Sequence, residues 1–382
     1  MKGFVQRRRF LCVVGTRPEG VKMAPVIQAL RKEPWADVVT LSTGQHRDML
    51  NPILKFFGLS VDGDLDLMQP GQTLPDLSAR SITALDAALA RYAPDWVIAQ
   101  GDTTSVAMTA MAAFYRTIPF AHVEAGLRTY DLRNPFPEEF NRVMATKLAS
   151  LHFAPTEKAA EALRREGVAE DAIVLTGNTV IDALIDAVAR RPALPFALPD
   201  GKRVVLVTLH RRESFGNAVQ DVCDAVKQLT ETIGDIHVVW PVHPNPNVQG
   251  PVRALFKTNP HVTLCDPLPY DAFVAVMSRA TLILTDSGGV QEEAPSLAKP
   301  VLVLREVTER AEAVDCGVVE LVGTDKDRIV SRATTLLTDA AAYRAMARGV
   351  SPYGDGHAAE RIVSALKQRL DGDVAKPANG TA

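Results

Sequence analysis

The chain has 382 residues, 47% hydrophobic and 23% charged, a composition typical of soluble globular proteins. Its 42 basic and 45 acidic residues give a net charge of −3, so no basic excess indicates binding to nucleic acid or to a membrane surface. The length favours two domains over one. No apolar run approaches the ~18 residues that cross a bilayer, which predicts a protein without a membrane span.

Cysteine usage and the two chain ends predict a cytoplasmic protein. Cys12, Cys223, Cys265 and Cys316 are far apart and form no C-x-x-C pair, as expected of reduced, packed thiols. The apolar run at 10–14 is shorter than the core of a signal peptide, and G-T-R-P-E follows it in place of a cleavage site. The last dozen residues, 371–382, lack apolar periodicity and are predicted to be a disordered tail.

The first half of the chain alternates predicted strands and helices, the pattern of a doubly wound parallel sheet. Strands are predicted at 10–14, 37–42, 95–99, 119–123, 151–154 and 174–177. Helices are predicted at about 21–32, 49–57, 77–91, 107–114, 156–166 and 180–189. The segment 133–142, rich in charged residues and prolines, is interpreted as a functional loop.

The second half repeats this alternation after a proline-rich stretch, and we place an interdomain linker at 191–202. Strands are predicted at 203–208, 236–241, 262–265, 281–284, 300–304 and 318–322. Helices are predicted at 218–233, 270–280 and 327–338. The sequence therefore predicts an α/β protein with two Rossmann-like, doubly wound domains, 1–190 and 203–352, that face a central cleft. A helix at about 357–370 is expected to pack back on the first domain.

The segment 282–293, L-I-L-T-D-S-G-G-V-Q-E-E, combines a strand, a glycine turn and the start of a helix. Glycines let backbone N–H groups approach a ligand, and a helix N-terminus carries a partial positive charge. This predicts a phosphate or another anion at 287–289. Glu292 and Glu293 would oppose a bare anion but suit sugar hydroxyls, which favours a sugar diphosphate. The alternative is a turn that only connects a strand to a helix.

Ionisable residues follow several predicted strands, where doubly wound sheets bind ligands. The first half supplies Arg17, Lys22, Asp102, Glu124 and Glu138, and the second supplies His210, Glu293 and Arg310. Three carboxylates in one half suggest acid–base chemistry, because neighbouring carboxylates separate each other's pKa values. Single residues also have simpler explanations: Asp102 as a helix cap, Arg17 and Lys22 as solvated charges.

Several catalytic signatures are absent from the sequence. His210 and His243 lie on different predicted strands without metal-ligand spacing, and no E-x-x-H occurs. Neither a G-x-S-x-G nucleophile elbow nor a G-x-G-x-x-G dinucleotide fingerprint is present. The sequence thus carries no signature of a metal site or of a dinucleotide cofactor.

Eight motifs, spread over about residues 10–370, resemble the bacterial non-hydrolysing UDP-N-acetylglucosamine 2-epimerase family. They are G-T-R-P-E-x-x-K at 15–22, Q-G-D-T-T-S at 100–105, H-V-E-A-G-L-R-T at 122–129, P-F-P-E-E-F-N-R at 135–142, T-G-N-T-V-I-D at 176–182, H-R-R-E-S-F-G at 210–216, D-S-G-G-V-Q-E-E-A-P-S-L at 286–297 and P-Y-G-D-G at 352–356. Pro18 and Glu19 favour the non-hydrolysing branch, because hydrolysing relatives tend to lack this Pro-Glu pair.

The resemblance implies a glycosyltransferase-B-like fold and a homodimer that works without NAD or metal. It also implies reversible interconversion of UDP-GlcNAc and UDP-ManNAc for cell-surface polysaccharide synthesis. In the family mechanism, anti-elimination of UDP gives 2-acetamidoglucal, and UDP then adds back as the proton returns to the other face of C2. Such a reaction needs a positioned base and donors for the departing diphosphate.

By motif match, the resemblance assigns roles to individual residues. The acid–base candidates are Asp102, Glu124 and Glu138, with His210 near the diphosphate or sharing the proton transfer. The substrate-binding candidates are Arg17 and Lys22 near the phosphates or sugar, Ser287, Gly288 and Gly289 at the diphosphate, Glu293 at the ribose, Arg310 at the nucleotide and Phe273 at the uracil.

The sequence also departs from the family pattern. Leu268 stands where a polar residue near the base is expected, and Ala311 replaces the usual proline after T-E-R. Some members need UDP-GlcNAc at a second, regulatory site. Gln45, His46 and His243 match that site, whereas Asp48 and Gly71 replace longer donors, which disfavours such activation.

Three alternatives to this function remain at this point. One is a 2-epimerase of a modified sugar such as UDP-2,3-diacetamido-glucuronic acid, since a few side chains facing the sugar set that choice. The second is a glycosyltransferase of the same fold, which would need an acceptor cleft and would keep no cluster of three carboxylates for chemistry at C2. The third is a nucleotide-sugar sensor without catalysis, which the complete carboxylate set disfavours.

Overall fold

The structure, a computed structural model, describes residues 7–45, 47–211 and 216–375. The chain forms two compact units: unit 1 extends to Ala183 and resumes at Tyr353, and unit 2 is Leu184–Pro352. None of the helices in the described ranges combines the length and the apolar character that crossing a bilayer requires.

Unit 1 contains a seven-stranded parallel sheet with the strand order β3-β2-β1-β4-β5-β6-β7. The strands are β1 (Arg8–Val14), β2 (Ala36–Ser42), β3 (Gly63–Asp64), β4 (Trp96–Gln100), β5 (Phe120–Val123), β6 (Leu151–Ala154) and β7 (Ile173–Leu175). The helices between them are α1 (Arg17–Arg31), α2 (Arg47–Phe56), α3 (Leu74–Tyr92), α4 (Thr104–Tyr115), α5 (Glu138–Leu148) and α6 (Glu157–Arg165). Helix α7 (Thr179–Ala189) follows β7 and continues into unit 2. The central strands β1 and β4 are almost continuously buried, as expected where helices cover both faces of a sheet.

Unit 2 contains a six-stranded parallel sheet with the strand order β10-β9-β8-β11-β12-β13. The strands are β8 (Arg203–Thr208), β9 (Ile236–Pro241), β10 (Val262–Cys265), β11 (Ala280–Thr285), β12 (Val301–Val303) and β13 (Val319–Leu321). The helices are α8 (Asn217–Thr232), α9 (Pro246–Phe256), α10 (Tyr270–Arg279), α11 (Gly288–Glu293), α12 (Ala311–Asp315), α13 (Lys326–Thr338) and α14 (Ala340–Met346). Its core includes Trp240, which is completely buried and lies 5.8 Å from Phe256 between ring centroids.

The last helix, α15 (Ala358–Ala375), belongs to unit 1 and packs against α1. Asp182 of α7 caps its beginning, because the carboxylate accepts hydrogen bonds from the backbone N–H groups of Ala358 (3.2 Å) and Ala359 (2.8 Å). The backbone N–H of Asn178 also donates to the backbone carbonyl of Tyr353 at 2.6 Å. These contacts attach the C-terminal helix to the end of the first sheet.

Each sheet has one point at which the direction of strand addition reverses, between β1 and β4 in unit 1 and between β8 and β11 in unit 2. Doubly wound sheets bind ligands beyond the carboxyl ends of the strands that flank such a point. The turns that follow these four strands begin at Gly15, Gly101, Leu209 and Asp286. The fold therefore places the G-T-R, Q-G-D, L-H-R and D-S-G-G motifs at the two positions suited to ligands.

The predicted α/β fold with two Rossmann-like domains is confirmed, but several elements differ from the prediction. Residues 138–142, interpreted as part of a loop, form the start of α5. The prolines at 135 and 137 suggested a break, but Pro137 is the N-cap, where its missing N–H breaks no helical hydrogen bond. The sequence analysis did not predict α9, which contains Pro251, nor the short elements β3, α12 and α14. The predicted linker, 191–202, forms neither helix nor strand.

Candidate active site

The turn after β1 is held by Glu19, a residue of α1 that is almost completely buried. Its Oε2 atom accepts hydrogen bonds from the backbone N–H groups of Gly15 (2.6 Å) and Thr16 (3.2 Å), which forms a capping box with Thr16. Its Oε1 atom accepts from the hydroxyl of Thr103 at 2.7 Å. Glu19 thus joins the turn that begins α1, with Arg17, to the turn that carries Asp102.

The pKa of Glu19 is raised above its ordinary value. Burial raises the pKa most, and the hydrogen bonds from Thr103, Gly15 and Thr16 lower it in part. A buried carboxylate that several donors surround is a rigid connection between two turns of the same sheet edge. Sequence analysis placed Glu19 only in a family motif; its spacing from Thr16 is the signal that identifies the capping box.

Glu124 follows β5 and lies in a pocket of side-chain donors. Lys22 Nζ is 2.5 Å from Oε1, Asn178 Nδ2 donates to the same oxygen at 3.0 Å, and Gln100 Nε2 donates to Oε2. The carboxylate is almost completely buried, and the backbone of Glu124 has φ = +63°, which is unusual for a residue with a side chain. Strained backbone of this kind is common at functional sites, where surrounding contacts over-determine it.

Asp102, in the turn after β4, is held by α5. The guanidinium of Arg142 contacts its Oδ2 atom, and Asn141 Nδ2 donates to its backbone carbonyl at 2.9 Å. Burial raises the pKa of Asp102 above its ordinary value, and the negative charge of Glu124 adds to this effect, while the positive charges of Arg142 and Lys22 oppose it. A carboxylate with a raised pKa suits proton transfer near neutral pH.

Arg142 is itself positioned by Glu139, whose side chain is completely buried. The Nη1 atom of Arg142 lies 3.2 Å from Glu139 Oε2, and the other carboxylate oxygen accepts from the backbone N–H groups of Thr129 (3.0 Å) and Tyr130 (2.9 Å). Glu138, the third candidate carboxylate, is half-buried at the first position of α5, next to Glu139. The helix that the sequence analysis interpreted as a loop therefore carries Glu138 and positions Asp102.

In unit 2, His210 after β8 meets Asp286 after β11. The Nδ1 atom of His210 lies 2.7 Å from Oδ1 of Asp286, and Oδ2 accepts from the backbone N–H groups of His210 (2.9 Å) and Arg211 (2.8 Å). Asp286 is completely buried. Burial would raise its pKa, but the hydrogen bond and charge of His210, together with the two amides, lower the pKa below its ordinary value.

The glycine turn at 287–289 lies beneath Arg310. A Cβ atom on Gly288 would be 2.8 Å from Arg310 Cζ, so the guanidinium covers the backbone at this residue. Its Nε and Nη2 atoms bond Oε1 of Glu292 at 2.9 and 2.8 Å. The helix that follows, α11, has only six residues and continues as a 3-10 turn. Arg310 thus adds a fixed cation to the backbone N–H groups of this turn.

The predicted nucleoside contacts lie on neighbouring elements of unit 2. Glu293 ends α11 and is almost completely buried, and the hydroxyl of Tyr270 is 3.5 Å from its Oε1 atom. Phe273 is half-buried on α10, three residues after Tyr270. Helix α10 therefore brings the hydroxyl of Tyr270 near the carboxylate that is predicted to meet the ribose.

The three predicted regulatory residues have different positions. The side-chain oxygen of Gln45 accepts a hydrogen bond from the hydroxyl of Ser105 at 2.8 Å, near the Asp102 turn. His46 lies outside the described residues. In unit 2, His243 Nδ1 accepts a hydrogen bond from the backbone N–H of Asn245 at 3.2 Å. The ring centroid of His243 is 6.5 Å from that of His210. A regulatory site stays a prediction.

Over the described ranges, no group of three or more His, Cys, Asp or Glu side chains is arranged to hold a metal ion. The ionisable residues that the structure gathers are instead carboxylates with cationic and amide partners in unit 1, and a His–Asp pair beside an arginine-covered glycine turn in unit 2. Two doubly wound sheets with such groups at their switch points define an α/β enzyme with two Rossmann-like units.

Comparison with known proteins identifies the family. The family model for UDP-N-acetylglucosamine 2-epimerase matches residues 28–367. A UDP-N-acetylglucosamine 2-epimerase of Escherichia coli K12 is 51% identical over 370 residues, which cover 94% of this chain and 98% of that protein. The chain belongs to the UDP-N-acetylglucosamine 2-epimerase family, a family of isomerases, and the predicted family resemblance is confirmed.

Solved structures agree with this assignment. A Neisseria meningitidis UDP-GlcNAc 2-epimerase, solved bound to UDP-GlcNAc, has a TM-score of 0.85 and 42% identity, and the match covers 94% of this chain and 100% of that one. A protein of Listeria monocytogenes described as a UDP-N-acetylglucosamine 2-epimerase has a TM-score of 0.90 and 37% identity, with coverage of 98% and 100%.

Proposed function

We propose that this protein catalyses the reversible epimerisation at C2 that converts UDP-GlcNAc into UDP-ManNAc. The observation that carries the proposal is the acid–base cluster of unit 1. Asp102 and Glu124 lie close enough for each charge to affect the other, with Lys22 beside both. A reaction that removes and returns a C–H proton needs such a cluster, whereas simple nucleotide-sugar binding does not. The names of the similar proteins support the choice of substrate.

The proposed reaction proceeds in two steps. A base removes the proton from C2, the electrons of that bond form the C1–C2 double bond, and the C1–O bond breaks so that UDP leaves with its electron pair. UDP then attacks C1 of the 2-acetamidoglucal while a proton is delivered to the opposite face of C2. Two faces require two proton-carrying groups, and we propose that Asp102, Glu124 and Glu138 supply them.

The hydrogen bonds within unit 1 support these roles. Lys22 and Asn178 hold the carboxylate of Glu124 at a fixed position, and Arg142 does the same for Asp102. Proton transfer to carbon requires such fixed geometry, because a misplacement of about 1 Å can cost roughly two orders of magnitude in rate. Arg17 and Lys22 would add positive charge for the phosphates or contact the sugar.

Unit 2 would bind the UDP group. We propose that Ser287, Gly288 and Gly289 donate to the diphosphate beneath Arg310, that Glu293 binds the ribose hydroxyls and that Phe273 contacts the uracil. His210 would donate from Nε2 to the diphosphate or take part in the proton transfer, because Nδ1 faces Asp286. Tight binding of UDP matters in this mechanism, because UDP and the glucal are separate molecules after the C1–O bond breaks. UDP must therefore stay bound until it adds back to C1.

The family resemblance supports further parts of the proposal. We propose that the enzyme is of the non-hydrolysing type, works as a homodimer in the cytoplasm without NAD or a metal, and supplies cell-surface polysaccharide synthesis. Asp48 and Gly71 disfavour activation by a second UDP-GlcNAc at Gln45, His46 and His243. Replacement of Gln45 or His243 tests this part. If a second UDP-GlcNAc activates the enzyme there, the replacement removes the sigmoidal dependence of the rate on substrate concentration.

Product analysis tests the proposed substrate. Purified protein is incubated with UDP-GlcNAc, and in parallel with UDP-2,3-diacetamido-glucuronic acid, and the epimers are separated by chromatography. We expect conversion of UDP-GlcNAc to an equilibrium mixture with UDP-ManNAc from either side. Turnover of the uronic acid without turnover of UDP-GlcNAc would overturn the proposed substrate while keeping the reaction type.

A further inference from the structure

Three arginines of unit 2 converge on one carboxylate, that of Glu309. Arg310 Nη1 lies 2.5 Å and Arg211 Nη2 3.0 Å from its Oε1 atom, and Arg305 Nη1 lies 2.8 Å from its Oε2 atom. Burial alone would raise the pKa of Glu309, but these positive charges and the local hydrogen bonds lower it to about 2. The carboxylate therefore stays ionised over the pH range in which enzymes work.

The two carboxylates on Arg310 differ in how firmly they are held. Glu292 binds the Nε–Nη2 edge of the guanidinium, and its side chain is only 7% exposed. Glu309 binds Nη1, and its side chain is 41% exposed. A buried partner is costly to remove, whereas a partly exposed partner is screened by water and costs less to displace. One edge of Arg310 is thus fixed and the other is exchangeable.

The exchangeable edge lies at the glycine turn. A Cβ atom on Gly288 would come within 3.0 Å of Nη1 of Arg310, so this nitrogen is next to the backbone of the turn. An anion bound by the N–H groups of Gly288 and Gly289 and by the hydroxyl of Ser287 would lie within reach of the same nitrogen. The carboxylate of Glu309 and such an anion would therefore need the same donor, and their like charges would repel each other.

We propose that Glu309 is an internal competitor of the nucleoside diphosphate: its carboxylate and the diphosphate alternate at Nη1 of Arg310. The inference rests on the proposed binding of UDP at this turn. Binding of UDP exchanges one ion pair for another, so Glu309 lowers the affinity for UDP. When UDP leaves, Glu309 returns to the guanidinium and makes recapture less favourable. Glu309 is thus a residue that sets the balance between holding UDP during the reaction and releasing it afterwards.

In the competing explanation, Glu309 raises the affinity for UDP instead of lowering it. Three guanidinium groups repel each other, so Glu309 could instead hold Arg310 in position for the diphosphate. The two explanations predict opposite changes when the charge is removed. Competition predicts tighter binding of UDP after Glu309→Gln, and positioning predicts weaker binding. The sign of the change therefore decides between them.

Isothermal titration calorimetry of the full chain with UDP measures this sign. For Glu309→Gln we expect a Kd about three- to tenfold below that of the wild type, from the loss of competing exposed ion pairs. Uridine, which lacks the diphosphate, should bind wild type and variant equally. Glu306→Gln is the matched control, because Glu306 is exposed on the same loop and its carboxylate lies against Gly323. It should leave the Kd of UDP unchanged.

An unchanged or higher Kd of UDP for Glu309→Gln would overturn the proposal, and so would an equal decrease for Glu306→Gln. Circular dichroism checks that the variants are folded, and Glu309→Ser provides a second removal of the charge if the glutamine variant is unstable. The proposed function fails separately: if the wild type binds no UDP and turns over no UDP-sugar, the assignment of the turn is wrong whatever Glu309 does.

Discussion

The Nδ1 atom of His210 lies 2.7 Å from the Oδ1 atom of Asp286, a carboxylate with no exposed surface. The second oxygen of Asp286 is held by two backbone N–H groups, so the carboxylate cannot turn away. A carboxylate accepts hydrogen bonds, so Nδ1 carries a proton, and we propose that Nε2 meets the substrate. Asp286 therefore fixes both the orientation and the tautomer of His210.

Replacement of Asp286 by asparagine tests this role. We expect kcat for epimerisation to fall about ten- to a hundredfold, a part of the ~10²–10⁴ that a positioned acid–base group contributes, while the Kd of UDP changes little. Nitrogen NMR should show that His210 loses its fixed Nδ1–H tautomer. Asp266→Asn, at a side chain that is 84% exposed, serves as the control. A variant with normal kcat and an unchanged tautomer would show that Asp286 has only a structural part.

The three carboxylates of unit 1 are each replaced by their amides in a second test. We expect Asp102→Asn, Glu124→Gln and Glu138→Gln to lower epimerisation by at least about 10²-fold, because the amide neither accepts nor returns a proton. Binding of UDP, measured by calorimetry, should be largely kept. Glu157→Gln, on the exposed beginning of α6, is the control. Near-normal rates in all three variants would refute the acid–base assignment.

Arg142 gives a prediction for the pH profile. Its positive charge opposes the effect of burial on Asp102, so Arg142→Gln raises the pKa of Asp102 further. A base that must be ionised is then protonated up to a higher pH, and the acidic limb of kcat/KM moves upward. Arg116→Gln breaks an exposed ion pair with Asp86 in the same unit and should not move this limb. A shift to lower pH would exclude Asp102 as the base that titrates.

Gly288 tests the contact between the glycine turn and Arg310. The methyl group of Gly288→Ala would meet the guanidinium at 2.8 Å, so either Arg310 or the turn must move. We expect the Kd of UDP to rise about tenfold, equivalent to ~1.4 kcal/mol. Gly250→Ala, where a Cβ atom meets nothing within 4 Å, is the matched control in the same unit. Unchanged affinity would remove Arg310 from the proposed diphosphate site.

The raised pKa of Glu19 predicts how stability depends on pH. Folded protein holds this proton more tightly than unfolded protein, so its contribution to the free energy of unfolding is fully present below the unfolded pKa of ~4.3 and is lost as the pH rises through the folded pKa. Glu19→Gln removes this loss. The melting temperature of the variant relative to wild type should therefore rise as the pH is raised from the unfolded pKa of ~4.3 through the folded pKa. A constant difference over this range would contradict the buried, titrating carboxylate.

Much of the fold follows from local sequence patterns. Apolar runs of four to seven residues between amphipathic segments identify parallel strands, because helices bury both faces of such a sheet. Two of the missed helices, α5 and α9, have a common cause. Pro137 and Pro246 suggest chain breaks, yet Pro137 is the N-cap of α5 and Pro246 lies in the first turn of α9, where proline fits. Pro251 lies inside α9. Proline alone does not distinguish a loop from a helix start.

The candidate site was predicted only in part, because contacts between residues far apart in the sequence are not visible in local patterns. Strand ends place Asp102, Glu124 and His210 at the sheet edge, because topology alone decides that position. Their partners depend on packing: Asp286 is 76 residues from His210, and Thr103 is 84 residues from Glu19. Arg142 and Glu139 lay in a segment interpreted as a loop, which hid their contact with Asp102. Side-chain partners of this kind have no local signature, apart from the capping box at Thr16.

Proton NMR of UDP-GlcNAc with the enzyme in deuterated water tests the central claim most directly. If the enzyme removes the proton from C2 and returns one from solvent, the H2 signals of UDP-GlcNAc and of the newly formed UDP-ManNAc disappear as deuterium enters at C2. The Asp102→Asn variant, expected to be inactive, should leave the H2 signal intact. Formation of UDP-ManNAc with a retained C2 proton, or transfer of the sugar with no exchange at C2, as a glycosyltransferase would give, contradicts the mechanism proposed here.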